Sequence, residues 1–540
     1  MKTKIKALCI SAALAVSVVP SFTSCIDETL PTNGVTSDQV NESDKSIEAQ
    51  VLGLNSYATR QWSSTWQFSI GYPALMIVRN IQSGEMAYGD NVTGCGYINW
   101  VADIYLTREY LLNQFLWYYQ QAWVGAANSA LRAINAQKGG DGAEMSDELK
   151  GYYGAALTYR AMINLDLARE FEWLPSDKVT SGVSPEGNPI EGLTIPIVTE
   201  NTTEEEAKNN PRVKRADMAK FILSDLNTAA ENIGYLEDNS RLMPHLDVVY
   251  GLMARCYMWI GDYSNAEKYA RMSIDASSST PITRDQALST ASGFNDINQF
   301  MWGSQYYSGN VNNIYCWTAN MCNETTYGYT GTMVNTNVMI DANMYKRISD
   351  SDWRKLEWKA PETSQLYGQN TYCDAEVGEQ LQDYASLKFR PGGGKVGDYT
   401  VGNVTAFPLM RIEEMYFIEA EAAAHQDAAR GARLLTDFMT MYRDNSYSFT
   451  STDQGAVIDE IVFQKAIELW GEGQYWFDVK RLNIPVTMLY EDSNHTSGYQ
   501  YNTATRPAWM SWQISNGEER TNMGVNGYNN PNNSYLYHNN

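Results

Sequence analysis

Aromatic rings interleaved with amides and small polar residues are the feature of this sequence best suited to chemistry. They are concentrated in two segments, 61–105 and 294–330, neither of which holds a helical period. Trp and Tyr rings offer flat apolar surface on which a ligand can stack, and amides, carboxylates and guanidinium groups offer hydrogen bonds. Because long irregular loops on a rigid scaffold are common places for binding, the two segments are predicted to be ligand-binding loops.

Within these loops we expect Trp100 and Trp302 to be stacking platforms, because each lies in a polar stretch. The further ring candidates are Tyr306, Tyr307, Tyr315 and Trp317. The candidates for bonding hydroxyl groups are Arg79, Asn80, Asp90 and Asn99. Each candidate also has a structural alternative. A ring could instead close the core beneath its loop, and a polar side chain could instead form hydrogen bonds within the loop.

Catalytic motifs are scarce in comparison. The four His residues form no HExxH or other metal-ligand spacing, and no GxSxG is present. The run Gly392 to Lys395 lacks the spacing and the Ser/Thr of a phosphate-binding loop. A carboxylate pair can hydrolyse a glycosidic bond, but 63 acidic residues leave the geometry of any pair open. The sequence favours binding over catalysis and predicts no cofactor, with a structural calcium ion as an option.

The composition and net charge make some classes of partner unfavourable. The chain has 540 residues, 44% of them hydrophobic, which is enough for a large core. Its 40 Lys and Arg against 63 Asp and Glu give a formal charge of −23. Because such a surface repels phosphate backbones, nucleic acid is a poor partner. Aromatics make up 12% of the residues, so some rings are expected at the surface.

The N-terminus has the pattern of an export signal. Three lysines precede a thirteen-residue apolar run, Ala7 to Val19, which is too short to span a bilayer. The run ends at Phe22-Thr23-Ser24-Cys25, which resembles a bacterial lipobox although Phe replaces the usual Leu. We expect residues 1–24 to be a signal peptide, Cys25 to carry lipid and 25–45 to form a tether; cleavage without lipidation is the alternative.

The remaining cysteines do not form a disulfide framework. Five follow Cys25, with irregular spacing and no CxxC. Cys256 lies in an apolar helical pattern and is expected in the core. A Cys316–Cys322 bridge across a loop is one possibility in an oxidising compartment.

The elements that position the loops are helices. Amphipathic patterns with apolar residues at i, i+3, i+4 and i+7 predict helical blocks, with Trp117 and Trp123 on a core stripe. The blocks are 45–60, 109–136, 148–171, 244–277, 411–443 and 457–481. In the fourth, Gly261-Asp262-Tyr263 makes a turn between helices that carry Ala254, Ala266 and Ala270. Small residues there allow close helix packing, which resembles a tetratricopeptide (TPR) repeat.

Two C-terminal signatures complete a family resemblance. Residues 411–422, RIEEMYFIEAEA, are similar to R-x-x-E-x-Y-x-I-x-A-E-A. Residues 468–481, ELWGEGQYWFDVKR, are similar to E-L-x-x-E-G-x-R-x-x-D-L-x-R, with Gln474 and Tyr475 where an arginine is usual. Together with the lipobox and the TPR-like pair, they resemble the SusD/RagB family of Bacteroidetes surface lipoproteins. Lys465 also replaces a common arginine, and these changes are expected to touch scaffold ion pairs.

This resemblance implies a mainly α fold of interrupted TPR-like helix pairs with long aromatic-rich loop insertions. It implies one such domain over 46–540, anchored by lipid to the outer face of the outer membrane. It also implies that the protein captures an oligosaccharide or polysaccharide and delivers it to a SusC-like TonB-dependent transporter. The alternatives are a peptide-binding member of the family and a purely structural TPR adaptor. Trp470 and Trp476, which lie in the second signature, are expected to be structural.

Overall fold

The computed structural model describes residues 44–62, 70–88, 106–137, 144–331, 336–533 and 535–537, and its architecture is mainly α. The helices to residue 287 are α1 (Asp44–Ser56), α2 (Tyr72–Gln82), α3 (Leu111–Gln137), α4 (Asp147–Phe171), α5 (Glu204–Ala207), α6 (Arg215–Asn232), α7 (Leu246–Ile260), α8 (Tyr263–Ala276) and α9 (Arg284–Ala287). The later helices are α10 (Trp317–Met321), α11 (Ala342–Arg347), α12 (Ala375–Gln380), α13 (Tyr399–Gly402), α14 (Ile412–Gln426), α15 (Ala428–Tyr442), α16 (Gln454–Glu468), α17 (Tyr475–Leu482) and α18 (Asn516–Thr521).

Strands are few and short. They are β1 (Met86–Tyr88), β2 (Trp302–Gln305), β3 (Val338–Ile340) and β4 (Ala406–Met410). β1 pairs with β3 and β2 pairs with β4, both antiparallel. Each pair joins segments more than 90 residues apart in the chain, so the two small sheets hold the insertions onto the helical scaffold.

The long helices pack in succession. α3 packs on α4, α4 on α6, α6 on α7 and α7 on α8; α8 then packs on α14, which also contacts α15 and α16. This is the TPR-like arrangement of neighbouring helix pairs, interrupted by the insertion between α8 and α14. The main hydrophobic cluster runs from Ile47 to Tyr537 and includes Trp117 and Trp123, as predicted.

The turn between α7 and α8 shows how the sequence sets the pair. Gly261 ends α7 in the left-handed conformation, with φ 76°, which a residue lacking Cβ adopts at little cost. Asp262 then caps α8 by accepting a hydrogen bond from Asn265 N at 3.1 Å. Ala254, Ala266 and Ala270 are all buried at the helix contact. The predicted TPR-like pair is confirmed.

Helix α2 departs from the sequence prediction. Segment 61–105 is predicted to hold no helical period, yet Tyr72–Gln82 is a helix whose eleven residues are all buried. Apolar residues do recur at i, i+3, i+4 and i+7 within it, at Ala74, Ile77, Val78 and Ile81, so the period is present but short. Its polar side chains are buried because they bond to the scaffold. Pro73 in its first turn is a further local signal.

The two C-terminal signatures meet in the core through ion pairs. Arg411 pairs with Glu468 at 2.6 Å and with Glu472 at 2.8 Å, and Arg443 pairs with Glu468 at 2.7 Å. Lys465, which replaces a usual arginine, pairs with Asp478 at 3.0 Å. Trp470 and Trp476 are fully buried, as expected for structural residues.

The block predicted at 457–481 consists of two helices. α16 ends at Glu468 and α17 begins at Tyr475, because Gly471 and Gly473 between them adopt φ values of 83° and 71°. A Cβ at Gly473 would lie 2.8 Å from Met76 Cα, so the turn also permits close approach to α2. Glycine is required there on both counts.

The thiols of Cys316 and Cys322 lie at the two ends of α10 and are free, as are those of Cys256 and Cys373. The possible Cys316–Cys322 disulfide is therefore not formed, because helix α10 holds the two residues apart along its axis. Cys256 is buried in α7, as predicted.

Candidate functional site

Two loops leave the same end of the β2–β4 pair and form an exposed surface. The register pairs Gln305 with Ala406, so the chain leaves β2 into 306–316 just where 395–405 leads into β4. Tyr306 N donates to Thr405 O at 2.9 Å, and Asn403 Nδ2 donates to Asn312 O at 2.7 Å. These bonds tie the two loops together. We call the surface formed by 307–315 and 396–404 the tyrosine face.

The tyrosine face carries rings and apolar side chains that point into solvent. Tyr307 is 51% exposed and Tyr399 is 40% exposed. Val401 and Val404, on the same loop as Tyr399, are also exposed, and Tyr315 on the first loop is half-buried. Large apolar groups gathered on one surface are typical of a binding site.

The loops hold their shape through local hydrogen bonds. Asn310 Oδ1 accepts from Tyr307 N at 2.7 Å, and Asn312 Oδ1 accepts from Tyr315 N at 2.5 Å. On the second loop, Tyr399 packs edge-on against the buried Tyr327 with ring centroids 6.3 Å apart. The backbone at Tyr307 and the ring of Tyr399 are therefore held by contacts within the protein.

Polar groups surround the rings. Exposed amides, hydroxyls and a carboxylate stand on the same two loops: Ser308, Asn310, Asn313, Asp398 and Thr400. Hydrogen bonds from the Thr400 side chain and backbone lower the pKa of Asp398, which keeps it a carboxylate acceptor near neutral pH. The tyrosine face thus combines flat apolar surface with donors and acceptors, which is the chemistry of carbohydrate recognition.

The structure places Trp302 in the core rather than at the surface, so its prediction as a stacking platform is wrong. Its side chain is fully buried in β2, its Nε1 donates to Leu242 O at 3.1 Å, and its ring packs edge-on against Tyr159 at 5.0 Å. The ring closes the core beneath the loop, which was the structural alternative.

Three further candidates are also buried. Trp317 in α10 packs against Phe389 and Phe407, and Tyr306 OH donates to Ile70 O at 3.1 Å. Arg79 lies within α2 and pairs with Asp166 and Glu170. These predictions as ligand contacts are wrong because each side chain is enclosed by scaffold partners.

Asn80 likewise lies in the buried α2, where its Oδ1 accepts from Gly473 N at 2.7 Å and supports the turn before α17. Of the candidates that the structure describes, Tyr307 and Tyr315 remain available to a ligand. Trp100, Asp90 and Asn99 lie outside the described residues.

The sequence prediction missed Tyr399, Val401 and Val404. In the sequence analysis, the only motif recognised in segment 392–404 is its glycine run, which is an imperfect phosphate-binding loop. The signal that was available is a tyrosine in a polar stretch, Asp398-Tyr399-Thr400, with no helical period around it.

Two negative findings concern the described part of the chain. It contains no group of three or more His, Cys, Asp or Glu side chains placed to hold a metal ion. None of its helices is long and apolar enough to cross a membrane.

A sequence profile of the SusD family matches residues 252–537, more than half of the chain. The chain belongs to the SusD family. Among curated proteins, none matches the sequence.

Solved structures of the same family share the fold. A SusD-like carbohydrate binding protein from Bacteroides vulgatus matches with a TM-score of 0.68 at 18% identity, over 89% of this chain and 96% of that one. A SusD superfamily protein from Bacteroides thetaiotaomicron has a TM-score of 0.66 at 16% identity, over 92% and 100%. A SusD-like carbohydrate binding protein from Bacteroides fragilis has a TM-score of 0.62 at 13% identity, over 90% and 99%. The SusD fold thus extends well beyond the segment that the profile matches.

Proposed function

We propose that this SusD-family protein is a cell-surface receptor that captures an oligosaccharide or polysaccharide on the tyrosine face. The observation that supports this role is the exposure of Tyr307 and Tyr399 on two hydrogen-bonded loops, next to Asp398 and several amides. A sugar ring would stack on either phenol, and its hydroxyls would bond the carboxylate and the amides. Two structurally similar proteins carry the description carbohydrate binding, which agrees with this class of ligand.

The proposal includes anchoring and delivery. The lipobox at Phe22-Thr23-Ser24-Cys25 supports lipid attachment at Cys25, which would hold the protein on the outer face of the outer membrane. The family resemblance supports delivery of the captured glycan to a SusC-like TonB-dependent transporter. The protein would act by binding, and no chemical step on the glycan is proposed.

Affinity gel electrophoresis tests the binding role. Residues 26–540 are run through gels that contain plant, microbial or host polysaccharides, and one class of glycan is expected to retard the protein. Tyr307→Ala with Tyr399→Ala should weaken that retardation. Stacking contributes roughly 0.5–1.5 kcal/mol per ring, so two rings correspond to about a 5- to 150-fold loss of affinity.

Tyr235→Ala is the matched control, since Tyr235 is 44% exposed and follows α6, away from the two loops. It should leave retardation unchanged, and all variants should melt cooperatively. If the double variant is still retarded as strongly as the wild type, glycan binding stands but the tyrosine face is not the binding site. No retardation by any polysaccharide would overturn the glycan ligand and favour peptide capture.

Cys25→Ala tests the anchor. Because the structure supports no spanning helix in the described ranges, the variant should move from the membrane fraction to the soluble fraction of cells that export it. Protease added to intact cells should degrade the wild type if it faces outward. A variant that stays membrane-bound would contradict lipid attachment at this cysteine.

A further inference from the structure

A partly open cavity of about 30 Å³ lies where the end of α4 meets α7, α14 and α17. Six cationic side chains line it: Arg169, Arg215, Arg255, Lys465, Lys480 and Arg481. Three carboxylates line it, those of Glu172, Glu414 and Asp478. The wall is therefore rich in positive charge, in a protein whose overall charge is −23.

Each carboxylate of the wall is already engaged. Glu414 pairs with Arg255 at 2.5 Å and Glu172 with Arg215 at 2.6 Å. Asp478 pairs with Lys465 at 3.0 Å and with Arg481 at 2.8 Å. The three carboxylates are thus taken up by these four cations, and none of them forms an ion pair with Lys480.

Two cations of the wall pair with carboxylates that lie outside it. Arg169 pairs with Asp166 at 2.5 Å, and Arg481 pairs with Glu421 at 2.5 Å. Even so, Arg481 Nη1 is buried and has no hydrogen-bond partner within the described ranges. Arg481, which lines the cavity, thus keeps an unused N–H donor.

Lys480 is the cation without a carboxylate. It is 3% exposed, and its Nζ donates to Arg169 O at 2.6 Å and to Glu170 O at 2.9 Å, in the last turn of α4. The negative end of the helix dipole offsets about half of one charge there. Since an ammonium has three N–H groups, one is left for a further acceptor.

The environment of Lys480 disfavours its charged form. Burial, with the nearby guanidinium groups of Arg506 and Arg215, holds its pKa well below the usual range, and the opposing charges of Glu172 and Glu170 do not outweigh them. Arg506 itself donates to main-chain oxygens of Lys480 and Pro175 and not to a carboxylate. A small anion in the cavity would face Lys480, Arg481 Nη1 and an excess of positive potential.

The volume of the cavity limits the size of an anion that it can hold. A site needs about 10–15 Å³ of this volume for one water, so about 30 Å³ accommodates two waters or one monatomic ion. We propose that the cavity binds a single halide ion, chloride in nature, which links Lys480 of α17 to the helical scaffold. The side chain of Arg215, one-third exposed at the wall, marks the route to solvent.

Chloride should then stabilise the folded protein specifically. Melting temperatures are compared in sodium chloride and in sodium gluconate at equal ionic strength, with halide-free buffers. Above saturation each tenfold increase in chloride adds a constant increment to stability, about 1.4 kcal/mol per tenfold. With an unfolding entropy near 1 kcal/mol per kelvin for about 500 residues, this is a rise of about 1–2 °C.

Lys480→Met should abolish the difference between chloride and gluconate. Lys355→Met is the matched control, because Lys355 is also buried but pairs with Asp350 and lies outside the cavity wall. The control should retain the full chloride effect. Equal melting temperatures in the two salts for the wild type would overturn the proposal, as would a chloride effect that survives Lys480→Met.

A crystallographic measurement keeps the test independent of that variant. Wild-type crystals grown without halide and soaked in sodium bromide should show an anomalous peak in the cavity, within contact distance of Lys480 Nζ. Electron density for water without an anomalous peak would refute the halide site, even if Lys480→Met fails to fold.

Discussion

Replacing Glu357 by Gln should stabilise the protein at neutral pH and have a smaller effect in acid. Glu357 is 2% exposed at the end of the 3₁₀ turn Trp353–Glu357, and its Oε1 has no hydrogen-bond partner among the described residues. Burial and the neighbouring Glu468 raise the pKa of this carboxyl to about 8, against the opposing charges of Lys388, Arg354 and Arg411. The folded protein therefore holds a neutral acid in its core.

The size of the effect follows from the difference in pKa between the folded and unfolded states. The unfolded carboxyl titrates near 4.5, so between pH 4.5 and 8 the unfolded chain releases a proton that the folded chain keeps. The contribution of Glu357 to stability is complete below pH 4.5 and is lost as pH rises through 8. By this linkage the loss is about 1 kcal/mol at pH 5 and about 3 kcal/mol at pH 7.

Glutamine keeps the shape of the side chain and does not titrate, so its advantage over glutamate should grow by about 2.5 kcal/mol from pH 5 to pH 7. At an unfolding entropy near 1 kcal/mol per kelvin, this is about 2–3 °C in melting temperature. The assay is thermal unfolding of both proteins at the two pH values. Glu362→Gln, which removes an exposed carboxylate from the next segment, is the matched control and should show no such growth.

An advantage of Glu357→Gln that is equal at pH 5 and pH 7 would refute this reasoning. So would a Gln variant that is less stable than the wild type at pH 7. Either result would mean that Glu357 is ionised in the folded protein and that Lys388, Arg354 and Arg411 outweigh the cost of burying its charge.

Three other changes test the scaffold. Gly473→Ala should cost about 2–4 kcal/mol in urea unfolding, because φ is 71° and the new Cβ would lie 2.8 Å from Met76 Cα; an unchanged midpoint would contradict the tight turn. Trp302→Ala should cost about 3–5 kcal/mol while the folded fraction keeps its glycan retardation; loss of retardation in a stable variant would restore Trp302 to the site. Thiol titration of the denatured, unreduced protein should find Cys316 and Cys322 free; a missing pair of thiols would contradict this.

The helical scaffold was predictable where local signals and packing agree. Gly261 and Asp262 mark a helix end and a helix start, and the alanines of α7 and α8 mark their contact face. Helix α2 carries an apolar period over only eleven residues, inside a longer segment that otherwise has none, so it was missed. The interruption between α16 and α17 depends on the approach of Gly473 to Met76, a contact between segments nearly 400 residues apart. Local sequence patterns therefore identify a long helix with clear end signals far better than a short helix or a turn that depends on a distant contact.

The rings of the aromatic insertion could not be sorted from sequence for a related reason. Tyr306 and Tyr307 are neighbours with the same chemistry, yet Tyr306 is buried and Tyr307 is 51% exposed. Successive residues at a strand end point to opposite sides, so the orientation of β2 decides which ring reaches solvent. That orientation is fixed by pairing with β4, about a hundred residues further along the chain.

The same pairing creates the tyrosine face. With Gln305 opposite Ala406, the loop after β2 and the loop before β4 must emerge side by side, which brings Tyr307 and Tyr399 onto one surface. The second loop carries three of the four exposed apolar side chains, and the hydrogen bond from Asn403 to Asn312 ties it to the loop that carries Tyr307. A substitution that shifts the β2–β4 register would therefore separate the two loops while leaving every ring in the sequence. The proposed binding surface depends on strand register, which a list of aromatic residues does not contain.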